Sequence, residues 1–357
     1  MKTLQKDFLE EGNIPIVDQG QKLIAGYTND RASICKAKLP VIIFGDHTKI
    51  IKYVDFEFAI GADGVKVLTT KEKGNVKYFY HALKFARIPD AGYSRHYKFL
   101  KEIEVCFPPL VEQKRIAAIL DAAEGLRAKR RQALKELDTF LQATFFHMFG
   151  DPVTNPMGWD FCQIEDLCDS KDDIKCGPFG TQLQVHEFKE SGIPLWGIKH
   201  VNSQFAFSTN EFVSDAKYQS LKQYSLRSGD IVMTRKGTVG NCCIYPADFA
   251  IGVMHSDLLR LRVSSTRCNP VFIRFQLTLS PQVKQQIVLM SPGAVMPGIN
   301  VSKLKKLVVE VPPLALQQQF AAIVESVERQ KVVMKAHLAE LDDLFGSLQQ
   351  RAFNGEL

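Results

Sequence analysis

The stretch MTRKGTVG places Thr234, Arg235, Lys236 and Thr238 on a turn whose glycines, Gly237 and Gly240, let a backbone come close to another molecule. Adjacent cations beside hydroxyl groups suit a nucleic acid: charge for phosphates, donors and acceptors for base edges. Other stretches share this make-up. GYSRHYK gathers Tyr93, Ser94, Arg95, His96 and Lys98, and VMPGINVSK holds Asn300, an amide suited to reading a base. CGPFGTQ and DQGQK are glycine-containing turns that carry Phe179 and Gln182, and Gln19, Gln21 and Lys22. GDHTK adds His47 and Lys49, and GIKH adds Lys199 and His200. An ordinary polar surface loop accounts for any one of these as well as a DNA contact does. Their joint placement in both halves of the chain is the stronger signal.

No residue set supports bond-breaking chemistry in the same way. The chain has no G-x-G-x-x-G and no P-loop, and its Pro-Pro pairs follow Phe107 and Val311 rather than the Asn or Asp that would clamp a target amine for methyl transfer. For a nuclease of the Pro-Asp…Glu-x-Lys type, Pro89-Asp90 with Glu102 comes nearest, but Glu104 stands where lysine is needed. Glu187 and Lys189 have the local spacing without a preceding Pro-Asp. His47 has no acid or nucleophile positioned beside it in sequence. The expectation is a chain without catalytic residues, metal or cofactor of its own.

Composition narrows the class. The eight cysteines form no C-x-x-C pair, and scattered thiols fit a reducing cytosol. A net charge of +6, from 45 Lys+Arg against 39 Asp+Glu, tolerates a polyanion without demanding one. No segment approaches the roughly 20 apolar residues of a membrane span, and the first residues lack the apolar run of a signal peptide. The expected location is the cytoplasm, with no membrane association.

The candidate residues must be held by elements, and the chain writes its elements twice. VCFPPLVEQKRIAAIL (Val105–Leu120) and VEVPPLALQQQFAAIV (Val309–Val324) align without a gap at an offset of 204 (312 − 108), and the register persists through Leu137 and Leu341 to Phe149 and Phe353. Self-similarity over such a distance marks a duplicated structural unit. After each Pro-Pro, apolar residues recur at steps of three and four: Ile116, Ile119, Ala123, Leu126, then Leu134 to Met148; and Phe320, Ile323, Val327, then Met334 to Leu348. Two long amphipathic helices are predicted, opened by prolines that fix φ. Each stripe must be buried, and the most economical partner is its duplicate, packed antiparallel about a two-fold axis. The other arrangement packs each helix on its neighbouring domain. Residues 111 to 147 would span about 55 Å. The basic run RAKRRQALK, Arg127 to Lys135, either tracks phosphate or forms a solvated helix face.

What precedes each helix is rich in short β-branched runs broken by Gly and Pro. DFLEEGNIP from Asp7 resembles HEFKESGIP from His186, and FAIGADGVKVL from Phe58 resembles FAIGVMHSDLLRL from Phe249. The offset grows from 180 (188 − 8) to 191 (249 − 58) to 204, so two domains share a fold but differ by insertions, while the helices keep their length. Trp159 to Pro178 have no counterpart before Met1. Either the first domain is a reduced version or its true N-terminus lies further upstream.

The order domain, helix, domain, helix, with PPLVEQKRIAAIL and PPLALQQQFAAIV opening the helices, resembles the specificity (S) subunits of type I restriction–modification systems. MFGDP, GDHTKIIKYVDFEFAIGADGVKVL and TRKGTVG are similar to that family too, and the likeness covers essentially the whole chain. It implies an α+β fold with two α/β target-recognition domains and two long helices packed as an antiparallel coiled coil, related by an internal pseudo-two-fold. Residues 1–108 would be the first recognition domain, 109–150 the central spacer helix, 151–311 the second recognition domain and 312–357 the C-terminal spacer helix. The resemblance also implies a non-catalytic subunit that reads a bipartite, gapped, asymmetric site in double-stranded DNA. Two modification subunits would bring S-adenosylmethionine and methylate adenine N6, and restriction subunits would bring ATP and magnesium. A helix of about 55 Å matches about 16 base pairs, which suits two readers about one turn apart. A second reading is a coiled-coil adaptor without sequence-specific DNA binding. A third is an unrecognised nuclease, which would cleave DNA with Mg²⁺.

Overall fold

Short β-branched runs become short strands in the computed structural model, which describes residues 3–61, 64–71, 74–89, 92, 94–236, 240–290 and 298–357. The chain falls into two units, Met1–Ala133 with Met334–Leu357, and Leu134–Val333. No helix of the described residues is long and apolar enough to cross a membrane.

The first unit begins with strands β1 (Ile14–Val17), β2 (Gly26–Thr28), β3 (Val41–Gly45), β4 (Ile51–Val54), β5 (Ala59–Ile60) and β6 (Val65–Leu68), then helices α1 (Val76–Phe85) and α2 (Tyr97–Leu100). One sheet has the order β2-β1-β5 and the other β4-β3-β6. β3 is the middle strand, buried along its length, and its register sets Ile42 opposite both Tyr53 and Leu68. A long helix, α3 (Leu110–Phe149), follows.

The second unit repeats this plan and enlarges it. Its elements are β7 (Phe161–Gln163), β8 (Ile174–Cys176), β9 (Ile193–Trp196), α4 (Ile198–Asn202), β10 (Phe212–Val213), α5 (Asp215–Leu221), β11 (Ser225–Leu226), β12 (Ile231–Thr234), β13 (Cys242–Ile244), β14 (Gly252–Met254) and β15 (Leu258–Leu261). Then come α6 (Pro270–Leu279), α7 (Pro281–Leu289), α8 (Val301–Lys305), β16 (Val308–Glu310) and the second long helix α9 (Leu314–Asn354). β9 lies antiparallel to β10 and parallel to β14, as β1 does to β2 and β5. β12 lies between β13 and β15, as β3 lies between β4 and β6. The additions are β11, an outer strand β8 beside β15, and a two-stranded sheet of β7 with β16.

The repeated Pro-Pro-Leu-x-x-Gln has a definite task. Gln113 is fully buried; its Oε1 accepts from the backbone N of Asn75, the N-cap of α1, and its Nε2 donates to Pro108 O, both at 2.8 Å. Gln317 does the same for Asn269, the N-cap of α6, at 2.8 Å, and for Pro312 O at 2.7 Å. One side chain thus ties the start of a long helix to a short one and satisfies two buried backbone groups.

The long helices run antiparallel within each unit. In the first, Arg127 Nε and Arg131 Nη2 reach Asp342 at 2.5 and 2.7 Å, Arg127 lies over the Phe345 ring, and Arg115 donates to Leu357 O. In the second, the amine of Lys331 meets Asp138 and Glu328, each at 2.8 Å. Thus Arg127 and Arg131, part of the basic run, are engaged between helices, where the sequence suggested phosphate or solvent. The ends are equivalent too: Phe149, closing α3, packs on Phe272 with ring centroids 4.6 Å apart, and Phe353, near the end of α9, packs on Tyr78 at 5.6 Å. The apolar stripe differs from the predicted one at several positions, Ala117 and Val324 among the buried residues it omitted. Leu120 is fully buried beside Ile116 and Ala123, whereas Leu126 is 54% exposed.

Candidate nucleic-acid interface

In the first unit the loop after β1 is built by a lysine that the sequence reading passed over. Lys52 is buried on β4; its ammonium donates to Asp18 O at 2.8 Å and Lys22 O at 2.5 Å and lies 3.5 Å from Asp18 Oδ1. Burial pushes its pKa down from the ordinary lysine value, against the opposing charge and hydrogen bond of Asp18. Alternation along β4 puts Lys52 on the same face as buried Val54, which is the signal for its inward role. With the loop fixed from below, Gln21 and Lys22 are exposed.

The turn after β3 meets that loop. Gln19 Oε1 accepts from His47 N at 3.3 Å, and Thr48 Oγ1 donates to Gln19 O at 2.7 Å. Lys49 completes the turn in the left-handed region, with φ of 59°. The same turn holds the segment before α2: Tyr97 N donates to Asp46 Oδ1, and His96 N donates to Asp46 O, each at 2.8 Å. So DQGQK, GDHTK and SRHYK, far apart in sequence, form one cluster. Arg95 and Lys98 are exposed on it. Lys66 and Lys101, which sequence reasoning missed, flank the Tyr97 ring at 5.2 and 5.1 Å. Tyr93 lies outside the described residues, and Ser94 is half-buried.

The second unit rebuilds this arrangement with different side chains. The strand registers that match Ile42 to Ile231 put Arg235 where the first unit has Asp46, and Ile299 N, one residue before the counterpart of His96, donates to Arg235 O at 3.2 Å. Its guanidinium lies over the Phe179 ring, 4.8 Å from the centroid, and donates to Ser256 O at 3.2 Å. Gly177 lets the CGPFG segment run against the 255–257 turn, since a Cβ there would collide with His255 O. Gln182 braces the same segment by accepting from Phe179 N at 3.1 Å and Tyr224 OH at 2.9 Å. Lys236 is exposed, 3.3 Å from Asp257. On α4, Lys199 is exposed, and Asn202 accepts from Asn241 Nδ2 at 2.8 Å, which ties that helix to the foot of the Arg235 loop. Thr238 and Gly237 lie outside the described residues.

Three expected surface contacts, His96, His200 and Thr234, have other roles. His96 is 1% exposed, with its Nδ1 donating to Asp46 O at 3.1 Å. His200 is fully buried; its Nδ1 accepts from Gly197 N at 3.0 Å, and burial with the charge of Lys199 pushes its pKa down. Thr234 is fully buried, bonded to Asn241 O. Asn300 is exposed at the N-cap of α8, its Oδ1 accepting from Lys303 N at 2.9 Å and its amide N–H groups facing outward from that bond. A buried group shapes a surface but does not touch a phosphate on it. What the two clusters offer is exposed Arg, Lys and Gln side chains on braced turns, a platform suited to phosphate and base-edge contacts.

The comparisons with known proteins point the same way. A family model described as the type I restriction modification DNA specificity domain matches residues 1–136 and 156–342. Among curated proteins, the type I restriction enzyme MjaIX specificity subunit of Methanocaldococcus jannaschii is 20% identical over 280 residues, 72% of this chain and 61% of that protein. The type I restriction enzyme EcoR124I/EcoR124II specificity subunit of Escherichia coli is 40% identical over 81 residues, 22% of this chain and 20% of that one. A putative type I restriction enzyme specificity subunit of Haemophilus influenzae is 23% identical over 349 residues, 92% of this chain and 83% of its own length. The chain therefore spans about three fifths of the length of the first of these relatives, and a fifth of the second. In fold, it is similar to the crystal structure of a type I restriction-modification S subunit from M. genitalium, with a TM-score of 0.61 at 16% identity, covering 98% of this chain and 90% of that one.

Proposed function

Because the chain belongs to the type I restriction modification DNA specificity family, matched over residues 1–136 and 156–342, we propose that it is the non-catalytic, sequence-reading subunit of a type I restriction–modification complex. It reads a bipartite, gapped, asymmetric site in double-stranded DNA, one half through each braced cluster. It also seats two modification subunits and the restriction subunits. S-adenosylmethionine, ATP and magnesium are assigned to those partners.

The observation that carries the reading is the pair of equivalent clusters built from different residues. One backbone bond holds Asp46 to His96 in the first and Arg235 to Ile299 in the second, around surfaces that present Lys22, Arg95 and Lys98 in one and Phe179, Arg235 and Lys236 in the other. A repeated frame with unlike surfaces suits two unlike half-sites, while helices of 40 and 41 residues in strict repeat suit a fixed gap. In the proposed mode Lys22, Lys98 and Lys236 contact phosphates, and Arg235, stacked on Phe179, is held for a base edge.

The test is to co-express the chain with a cognate modification subunit in a host lacking adenine methylation and to map N6-methyladenine across the genome. The expected result is a two-part motif with a fixed gap. Absence of methylation, with the complex shown to assemble, would replace this reading with that of a coiled-coil adaptor.

A further inference from the structure

The internal repeat allows each unit to be compared with the other, side chain by side chain. The N-caps Asn75 and Asn269 align α1 with α6 at an offset of 194 (269 − 75), while the long helices align at 204. In the first unit, side chains close the space between α1, α3 and β4. Asp121 lies 2.7 Å from His81 Nε2 and 3.4 Å from the amine of Lys77, which also sits over the Tyr53 ring, 3.7 Å from its centroid. One turn on, Lys84 lies 3.4 Å from Glu124, and Tyr80 packs against Tyr53 with centroids 5.9 Å apart.

The second unit keeps the carboxylates and loses what met them. Glu325 and Glu328 stand for Asp121 and Glu124, but Val271, Phe275 and Thr278 replace Lys77, His81 and Lys84. Ile244, opposite Ile231 as Tyr53 is opposite Ile42, replaces the ring. Glu328 retains the partner on its own helix, Lys331, just as Glu124 retains Arg127; the cation from the short helix is what is gone. The result is a groove of about 1090 Å³ with Ile244, Val271 and Phe275 among its apolar lining. Gln318, Ala321, Ala322, Glu325 and Glu328 line one wall, so the groove follows α9 for about three turns, roughly 15 Å. Alanines at that wall let another helix come close. Two cations also line the groove and both are engaged: Arg274 lies 4.7 Å from the centroid of the Phe275 ring, and Arg329 lies 3.7 Å from Glu325. Asp248 adds an exposed carboxylate. In the first unit this space is closed by side chains and not by a further stretch of backbone, so the repeat assigns no segment of this chain to the groove.

We propose that this groove is the docking site for an amphipathic, lysine-bearing helix of a partner protein, taken up once per chain. The helix lies along α9, sets apolar side chains against Ile244, Val271 and Ala322, and brings to Glu325 and Asp248 the kind of cation that Lys77 and His81 bring to Asp121. An apolar groove with charge at its rim is the surface that a helix uses when its anchors recur at three and four residues. Because the corresponding space in the first unit is closed, the partner is one that binds singly to a duplicated frame. The proposal goes beyond the DNA-reading function and does not depend on it.

A labelled amphipathic peptide, the heptad Leu-Lys-Lys-Leu-Leu-Lys-Leu written twice, titrated into the full chain and followed by fluorescence anisotropy, tests it. Saturable binding is expected, with one peptide per chain by native mass spectrometry, and the same peptide with glutamate in place of lysine should bind about tenfold more weakly or less. Ala322→Trp, which fills the groove, and Glu325→Lys, which reverses its rim, should each weaken the lysine peptide by about fivefold or more. Both positions are exposed, and unchanged thermal melts of the variants would show that the fold is kept. Equal binding of the two peptides, unchanged binding to both variants, or two peptides per chain overturns the proposal. A concentration-dependent dimer that Ala322→Trp abolishes also overturns it, because the occupant would then be a second copy of this chain.

Discussion

At the scale of single residues, Arg235 and Lys236 are neighbours with different prospects. Arg235 is fixed by the Phe179 ring and by Ser256 O, so its guanidinium is held in place before any ligand arrives. Lys236 is exposed on a flexible stem, 3.3 Å from Asp257. Arg235→Ala is therefore expected to cost about 1–3 kcal/mol of DNA binding and to relax preference at one position. Lys236→Ala should weaken all sequences alike and lower the slope of log K against log salt by about one. Anisotropy titrations over a salt series separate the two outcomes. Glu310 gives a prediction about pH. It is 3% exposed, its Oε1 has no hydrogen-bond partner, and burial, aided by the charge of Asp151, pushes its pKa up to about 7. The folded state then holds this proton more tightly than the unfolded one. The contribution to stability is whole below the ordinary carboxylate range and is lost as pH rises through about 7. The Tm of the second unit should fall between pH 5 and pH 8, and Glu310→Gln should remove that fall, raising the Tm at pH 8 by a few degrees in thermal melts.

At the scale of elements, the sequence revealed the repeat more readily than its purpose. The register of Pro-Pro-Leu-x-x-Gln identified a duplicated helix start, but a glutamine in a polar run gives no sign that both ends of its amide are committed to backbone 38 and 5 residues away. Such a role depends on what the fold brings to it. The same limit explains the helix stripe: steps of three and four define a face only to within a turn, and the partner helix decides that Leu120 is covered and Leu126 is not. Likewise the candidate loops were legible as glycine-rich polar turns, while His96, His200 and Thr234 could be assigned to the interior only once the strands around them were placed. A definite expectation follows for the glutamines. Gln317→Leu leaves the Asn269 N–H and the Pro312 carbonyl buried without partners and should cost about 2–5 kcal/mol in a denaturant melt, far more than Gln319→Leu on the exposed side of the same turn.

At the scale of the whole molecule, the two units are assembled differently from the chain. The second is one continuous stretch, Leu134–Val333, whereas the first needs both the beginning and the end of the sequence. The end supplies Phe345 and Ala352, which are buried with Tyr78, Ile116 and Leu120 in one cluster against which Phe353 packs. Large buried aromatic side chains typically contribute about 3–5 kcal/mol each when truncated, a large share of the stability of a domain this size. Ending the chain after Val333 is therefore expected to abolish cooperative folding of the first unit while leaving the second intact, although the missing residues are the ones farthest in sequence from the strands of the first. Calorimetry of the full and truncated chains should show the loss of one transition and the retention of the other, and hydrogen exchange should show β3 unprotected and β12 protected. If both transitions survived, the cluster around Tyr78 would not be what holds the first unit together, and the duplicated helices would have to be understood as appendages to two self-sufficient domains.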